Sequence, residues 1–522
     1  MSYELRNDSV IQEHLRAICE RLEAYFPAEA TNGAGVDAVA RAKMLALGEL
    51  LLSIELAGRG RDEPAQAECP TCGKLAKRKE RRPREVITVM GPVSYSRAIY
   101  RCNDCKQEFA PLDREFGLLE GCKESRALRE LLAFCYAGEP TEAVRQNVEK
   151  MLCFTLSHST VHRAVQVEGA RALQRLELEA QSAAQPEALD PVRVPWAQPS
   201  TGLRQGKVGL AQFDGYMNLR CDLPADESEV AETDADADAD ADLETDDDPL
   251  EEKPRNKGKG RWSEARIALF SDLAARVQKP PSDEEIQRAA SEGREPRGRD
   301  TLTRKSYVAS PRSLEEFKQR VWAEALRWQF HTAETLVVLG DGAPWIWNTY
   351  EELFGHIEGL DLVEILDWQH VLKHLRAVAK HVYGKKKGRA EQAVKRWRKR
   401  LWEHGDAEHL SKLFAALAEK IRPRDEKAAA KVQRESRYFA RHAHRCRYPQ
   451  FRAKTYPVSS GAVEGACNTF GQRRCKLPGA RWSLGGLDVV LALRMYRLND
   501  RWHELHPDAA IPRPIPLDTK AA

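Results

Sequence analysis

A multidomain α/β protein is predicted for this 522-residue chain by three features. Apolar runs of strand character recur between helical segments across residues 205 to 375, the alternation expected of an α/β core. Two Cys-x-x-Cys pairs, Cys69–Cys72 and Cys102–Cys105, flank β-rich sequence near the N-terminus. A long basic stretch without strand signals, residues 376 to 445, interrupts the α/β pattern before its last part at 446 to 505. A chain of this length holds several domains.

The first of them, residues 1 to 62, reads as helical. Leu15, Ile18, Cys19 and Leu22 follow three-and-four spacing, and MLALGELLLSIEL has a dense apolar face, until Gly58, Gly60 and Pro64 break the pattern. Residues 66 to 118 read as a zinc ribbon. The first cysteine pair is followed by KRKERRPRE, read as a basic linker. Next come two β-rich runs around Gly91-Pro92, read as a hairpin that the second pair closes. Four thiolates spaced in this way suit a closed tetrahedral site for structural Zn²⁺. A redox pair is the alternative.

Residues 122 to 180 read as all-helical and resemble a helix-turn-helix. The helices are TEAVRQNVEKML and the segment from Ser159, with a turn from Phe154 to Ser159. The second helix would offer His158, His162, Arg163 and Gln166 to a DNA groove. Plain packing of two helices is the competing reading. Residues 181 to 204 read as a linker. The acidic insert at 224 to 256 cannot bury a core and is expected to be disordered.

Within the α/β part, KVGLAQFDGYM ends a strand at Asp214, and Trp262 to Phe270 is read as the next strand of the same sheet. After a polar stretch, SLEEFKQRVWAEALRW is an amphipathic helix, TLVVLG is a strand closing on Asp341, and DLVEIL is a strand closing on Asp367. The basic segment that follows carries nine Lys or Arg between Lys385 and Arg400, including Lys385, Lys386 and Lys387, with Trp397 and Trp402 interleaved. Residues 506 to 522 read as a flexible tail.

Charge points to a polyanionic partner. The formal net charge is only +3, but residues 226 to 252 hold fifteen Asp or Glu and no Lys or Arg. With these set aside, 82 basic residues face 64 acidic ones. No apolar run approaches the length of a membrane span, and MSYELRNDSV has no signal-peptide pattern, so a cytoplasmic protein with no membrane partner is expected.

Three carboxylates stand out: Asp214 and Asp341 at strand ends, and Glu464, read as opening a helix rich in basic residues. Strand-end aspartates and a helical glutamate can together hold two divalent metals, which suits phosphodiester chemistry. Each alone has a plainer reading. Asp-Gly often closes a turn, and an acid in a first helical turn favours the helix dipole, with Ser459, Ser460 and Gly461 as caps.

Around these residues the sequence resembles the DDE transposases of bacterial insertion sequences, nearest to the ISKra group related to Mutator-type elements. The resemblance rests on Phe213-Asp214-Gly215, Trp262-x-Glu264, Asp341-Gly342-Ala343-Pro344-Trp345, Asp367-Trp368-Gln369-His370 and the block from Gly461 to Arg494. That block contains Glu464, Arg473, Arg474, Lys476, Arg481 and Trp482. YRCNDCKQEFAPLDREFGL is similar to the same group's zinc-ribbon end. The acidic insert after Asp214 departs from the pattern.

The resemblance implies an RNase H-like core interrupted by an all-helical insertion. It also implies Asp214, Asp341 and Glu464 as ligands of Mg²⁺ or Mn²⁺, with Asp367 and His370 as second-rank catalytic candidates. Arg473, Arg474, Lys476 and Arg481 would grip DNA, and Trp482 would stack on a base or serve the core. The implied activity is DNA cleavage at element ends and strand transfer into target DNA, by a homodimer or higher oligomer in a synaptic complex. Two rivals stay open: a non-catalytic zinc-ribbon and helix-turn-helix DNA-binding protein, and an RNase H-like nuclease that does not join strands.

Overall fold

The computed structural model describes residues 36–119, 121–185, 206–222, 261–279, 299–384, 387–459 and 461–506, with isolated positions at 16, 20, 284, 287 and 288. The first half of the N-terminal helical region, most of the linker, the acidic insert, Lys385, Lys386, Ser460 and the tail beyond 506 lie outside the described residues. The chain divides into two compact units, 1–171 and 172–522.

In the first unit, helix α1 (Val36–Arg61) runs through Gly58 and Gly60 instead of stopping before them. Gly60 is needed there, because a Cβ would stand 2.3 Å from the Ser96 carbonyl oxygen. Strands β1 (Gln66–Glu68), β2 (Leu75–Thr88), β3 (Gly91–Arg101) and β4 (Glu108–Phe109) form one antiparallel sheet in that order. The segment KRKERRPRE is therefore strand, not linker. It pairs with β3 from Lys77↔Arg101 to Thr88↔Gly91, with one register shift between Arg78 and Glu80.

Its charges do not prevent this pairing, because carboxylates answer them. Lys79 meets Glu108 at 2.6 Å, Arg81 meets Glu63 at 3.4 Å, and Arg84 and Arg97 share Asp113. After the short helix α2 (Pro111–Glu115) come α3 (Arg126–Tyr136), α4 (Thr141–Leu152) and α5 (His158–Ala183). The helical reading of TEAVRQNVEKML is borne out, and Cys153 closes α4 in the left-handed region at φ 62°. The division between the units falls inside α5.

The second unit is built on a five-stranded mixed sheet. Its strands are β5 (Val208–Arg220), β6 (Arg261–Asp272), β9 (Ser306–Ser310), β10 (Thr335–Gly340) and β11 (Asp361–Leu366). A separate two-stranded ribbon joins β7 (Arg276–Lys279) to β8 (Arg299–Leu302). The order across the large sheet is β11-β10-β5-β6-β9. Strand β6 runs antiparallel to both its neighbours, β5 and β9, whereas β10 and β11 run parallel to β5. The expected strand from Trp262 is thus present in the expected sheet. Strands β7, β8 and β9 were not expected; β9, SYVAS, is five residues long, fully buried, and has serine at both ends, so it gives no alternating signal.

Helix α6 (Leu314–Arg327) opens with a capping box between Ser313 and Glu316. Its Phe317 and Trp345 of α7 (Pro344–Phe354) both meet Phe213 edge-on, at 6.4 and 6.3 Å. Helix α8 (Trp368–Tyr383) follows β11 without a break, so the boundary expected at 376 falls inside a helix. Helices α9 (Lys387–His404), α10 (Ala407–Ile421) and α11 (Glu426–Arg441) complete the helical insertion. Trp397, Phe414 and Phe439 pack edge-on within it, so Trp397 is core. Trp402 packs on Trp368 at 4.8 Å and under the Arg452 guanidinium at 4.1 Å.

The chain returns through α12 (Tyr448–Ala453), α13 (Gly461–Cys467), a π-helical turn (Asn468–Gln472) and α14 (Leu484–Leu498). Among the described residues, no helix is long and apolar enough to cross a membrane.

Asp488 ties this returning segment to the sheet. It is fully buried on α14 and accepts from Arg320 of α6 at 2.9 Å and from Arg312. Removing one partner of a buried ion pair strands the other charges. Asp488→Ala is expected to cost about 3–5 kcal/mol, read as an earlier unfolding transition of the second unit in urea.

Candidate active site and metal centre

The two cysteine pairs converge at one end of the β1–β4 sheet. Cys69 and Cys102 are buried, Cys72 and Cys105 exposed, and the four sulfurs all lie within 4.8 Å of one another. Cys69 and Cys105 stand 3.5 Å apart, as do Cys72 and Cys102. Sulfurs about 2.3 Å from a tetrahedral Zn²⁺ would sit roughly 3.8 Å apart, so the set fits.

Each pair sits in a tight knuckle. Cys69 donates its N–H to the Lys74 carbonyl at 2.9 Å, and Cys102 donates to that of Gln107 at 3.0 Å. Gly73 at φ 70° and Lys106 at φ 61° turn the chain. The backbone N–H groups of Thr71 and Cys72 aim at the Cys69 sulfur and pull its thiol down to about 6. Those of Cys105 and Asp104 lower Cys102 likewise. Such sulfurs are ready to bind as thiolates, and the cluster could hold a structural metal such as zinc. One zinc per chain is expected by elemental analysis. Cys102→Ser should lose it and unfold the β1–β4 sheet, seen as early proteolysis in the first unit.

The second centre lies where the strand order of the large sheet reverses. From β5 the chain steps outward to β6 and β9, then returns on the other side of β5 as β10 and β11. The crevice at the carboxyl ends of strands at such a point is where ligands bind in open α/β sheets. The parallel ladder pairs Leu339 with Gln212, and two residues beyond each stand Asp341 and Asp214. On the other flank Gly340 pairs with Leu366, and one residue beyond each stand Asp341 and Asp367. Asp341 and Asp367 thus follow the last residues of β10 and β11. Asp214, expected to end its strand, instead lies inside β5, which runs on to Arg220 because β6 continues to pair with it. The three strands are adjacent and parallel, about 4.8 Å from one to the next.

Asp214 is largely removed from water. Burial raises its carboxyl, the charge of Asp341 raises it further, and together they push it up to about 6. The Gly215 N–H donates to Oδ1 at 2.8 Å, and the Cys467 thiol donates to Oδ2 at 3.2 Å. Burial and the Asp214 charge push the Cys467 thiol well up, so it stays protonated as a donor. Asp341 turns its own loop, its Oδ1 accepting from the Ala343 N–H at 2.9 Å. Pro344 then starts α7 at a position whose N–H would have no partner in any case.

Asp367 is fully buried and caps α8, accepting from the His370 N–H at 3.0 Å. The same oxygen meets His370 Nδ1 at 3.2 Å. Burial opposes a charge on His370, but the Asp367 contact and the Asp341 field outweigh it and raise the ring's pKa. Asp214, Asp341, Asp367 and His370 are thus brought together.

Glu464 approaches from the other side of the sequence. It lies in the first turn of α13 and is exposed. The helix docks on β5 through the Val463 N–H, which donates to Gln212 Oε1 at 3.2 Å, and through Cys467, one turn beyond Glu464. Gly471 lets the π-helical turn close on the strand, since a Cβ there would lie 2.6 Å from the Tyr216 ring. Among the described residues, only the four cysteines bring three or more potential ligand atoms within 4.8 Å. Glu464 therefore lies one helical turn from Cys467, the partner of Asp214, but does not share one ligand sphere with both aspartates.

The basic candidates divide. Helix α13 is short and carries no Lys or Arg, so Arg473, Arg474 and Lys476 lie in the turns after it, not on a basic helix. Arg473, Lys476 and Arg481 are exposed. Arg474 is only 3% exposed and lies over the Trp482 ring at 5.1 Å, so it braces the loop instead of offering charge to solvent. Trp482 is strapped to the end of β5 by its N–H to Leu219 O at 3.0 Å, and its indole donates to Cys475 O at 2.9 Å. Arg163 spends its guanidinium on Glu124, a fully buried carboxylate. Lys387 begins α9.

Three residues near the aspartates were not assigned a role from sequence. Cys467 sits three residues after Glu464, a spacing that does place both on one helix face. Glu264 on β6 lies against Gly215, where a Cβ would meet its Oε1 at 2.1 Å. Burial and the Asp341 field raise its carboxyl against the pull of Arg266. Tyr438 arrives from α11, and no local signal marks it.

No family model and no curated protein matches this chain.

The Asp214 shift is testable. In metal-free protein its carboxyl should titrate near pH 6. Asp341→Asn should move that midpoint down toward the ordinary carboxylate range near 4, followed by ¹³C NMR of labelled aspartate. A raised carboxyl favours the folded state while protonated. The metal-free protein should therefore lose stability as pH rises through 6, and Asp341→Asn should shrink that loss.

Proposed function

We propose that this chain is a DNA transposase that cleaves and joins DNA strands with divalent metal ions, on an RNase H-like core. The observation that carries the reading is the row of aspartates at the strand-order reversal, with the Glu464 helix docked on Asp214. The sheet supports it as well. Its first three strands alternate in direction, the next two run parallel to the first, and the order β11-β10-β5-β6-β9 is the one an RNase H-like core would have. The helical segment α8 to α11 falls between the second aspartate and Glu464, as the family resemblance implies.

The donor set suits Mg²⁺ or Mn²⁺, because carboxylate oxygens are hard ligands. The mutual repulsion that lifts Asp214 toward pH 6 is the kind a bound dication relieves. Asp214 and Asp341 would hold the metal, with Glu464 moving in from α13 when DNA is bound. When bound, such ions activate the attacking water or 3′-hydroxyl and stabilise the leaving oxygen.

Residues of this chain do the remaining work. Cys467 and the Gly215 N–H orient Asp214. His370, tethered to Asp367 with its pKa raised, is suited to meet a phosphate oxygen. Arg473, Lys476 and Arg481 present charge to the DNA backbone, a contact independent of base sequence and weakened by salt.

The test uses DNA carrying the sequences that flank the gene, incubated with Mg²⁺. Wild-type protein is expected to nick and then join these ends to a second duplex. Asp214→Asn, Asp341→Asn and Glu464→Gln should each lower the rate at least 1,000-fold while binding of the same DNA stays within about threefold. Cleavage retained by all three variants would refute the assignment. Cleavage without joining would identify a nuclease instead.

A further inference from the structure

We propose that Tyr438, on the last helix of the helical insertion, is a positioning residue that fixes Asp341 for metal binding. The inference rests on the metal-site reading above. Three observations carry it. The Tyr438 hydroxyl donates to the backbone carbonyl of Asp341 at 3.0 Å, across 97 residues of chain. Gly342, next to it, has φ +110°, and a Cβ there would stand 2.7 Å from the same hydroxyl. The loop is thus shaped to admit this one side chain, with a conformation that glycine adopts without strain.

The tyrosine is itself fixed. Its ring stacks on that of His374 with centroids 3.9 Å apart, and the His442 ring lies 4.6 Å away. His374 Nδ1 meets Glu435 Oε2 at 2.8 Å, and Glu435 precedes Tyr438 by three residues on α11. The Asp341 loop is therefore held from within by its own carboxylate on the Ala343 N–H, and from outside by the insertion. Loss of a partner that orients a metal ligand typically costs about 10- to 100-fold in metal affinity. A displacement of α11 would move Asp341, so the insertion and the metal site are mechanically joined through one hydrogen bond.

The fold supplies a matched control. Tyr350 is also buried and its hydroxyl donates to a backbone carbonyl of β10, Leu336 O at 2.7 Å, near the end of the strand away from the Asp341 loop. Tyr438→Phe and Tyr350→Phe each remove one tyrosine-to-carbonyl hydrogen bond, from the loop after β10 and from β10 itself. Only the first should reach the metal.

The experiment measures Mn²⁺ binding to full-length, zinc-loaded protein by the EPR signal of free Mn²⁺, with thermal unfolding of each variant alongside. Tyr438→Phe is expected to weaken Mn²⁺ binding about 10-fold. Tyr350→Phe should stay within twofold of wild type although its melting temperature falls comparably. Unchanged binding by Tyr438→Phe, or equal weakening by both variants, overturns the inference. Asp341→Asn separates the two levels. If it abolishes binding and Tyr438→Phe does not weaken it, only the positioning role is wrong. If wild type binds no Mn²⁺, or Asp341→Asn binds as well as wild type, the metal-site reading falls and this inference with it.

Discussion

Two like charges held side by side organise the second unit of this protein. The parallel pairing of β5 and β10 sets Asp214 and Asp341 on neighbouring strands just past the end of their shared ladder, where burial and mutual repulsion push Asp214 up to about 6. Left to itself such a pair would splay or be replaced. Here it is restrained from several directions: the Cys467 thiol and the Gly215 N–H on Asp214, and the Ala343 N–H and the Tyr438 hydroxyl around Asp341. Local strain or repulsion persists only where surrounding structure over-determines it, and such places are usually functional.

Those restraints come from three separate stretches of sequence. Helix α13, from the last 62 residues, reaches Asp214; α11, from the helical insertion, reaches Asp341; and the α8 N-terminus brings Asp367 and His370. The sheet gives each stretch a fixed edge to dock on. The cysteine cluster of the first unit is a different kind of device. It is closed on itself by four sulfurs and stabilises a small sheet whose core, around Tyr100, Ala76 and Ala98, is modest.

Much of this was legible in the sequence, and the reasons for the rest are physical. Strands β5, β6, β10 and β11 are apolar runs closed by turn residues, and the helices α4 and α6 carry clear apolar periodicity, so their existence could be read directly. Cys-x-x-Cys spacing located the four-cysteine cluster that could hold a metal. Strand β9 was missed because full burial removes the alternation that marks a strand, and the basic part of β2, read as a linker, was missed because its arginines look solvated until their carboxylate partners are known. Arg474 shows the converse error, a charged residue whose role is to cover a tryptophan. Asp341 and Asp367 were readable as strand-end acids, whereas Asp214 looked like one because Gly215 follows it, although β5 runs on to Arg220. Cys467 shares a helix face with Glu464 and Glu264 sits in a motif of its own, but Tyr438 acquires its meaning only from a contact across 97 residues, which no local window contains.

Crystals grown with zinc and soaked in Mn²⁺ would test the central claim most directly, through anomalous diffraction recorded at both metal edges. A zinc peak among Cys69, Cys72, Cys102 and Cys105 would serve as the internal control. The account predicts at least one manganese peak between the carboxylates of Asp214 and Asp341. A zinc peak at the cysteines with no manganese at the aspartates, at millimolar Mn²⁺ and a pH above 7, would contradict it.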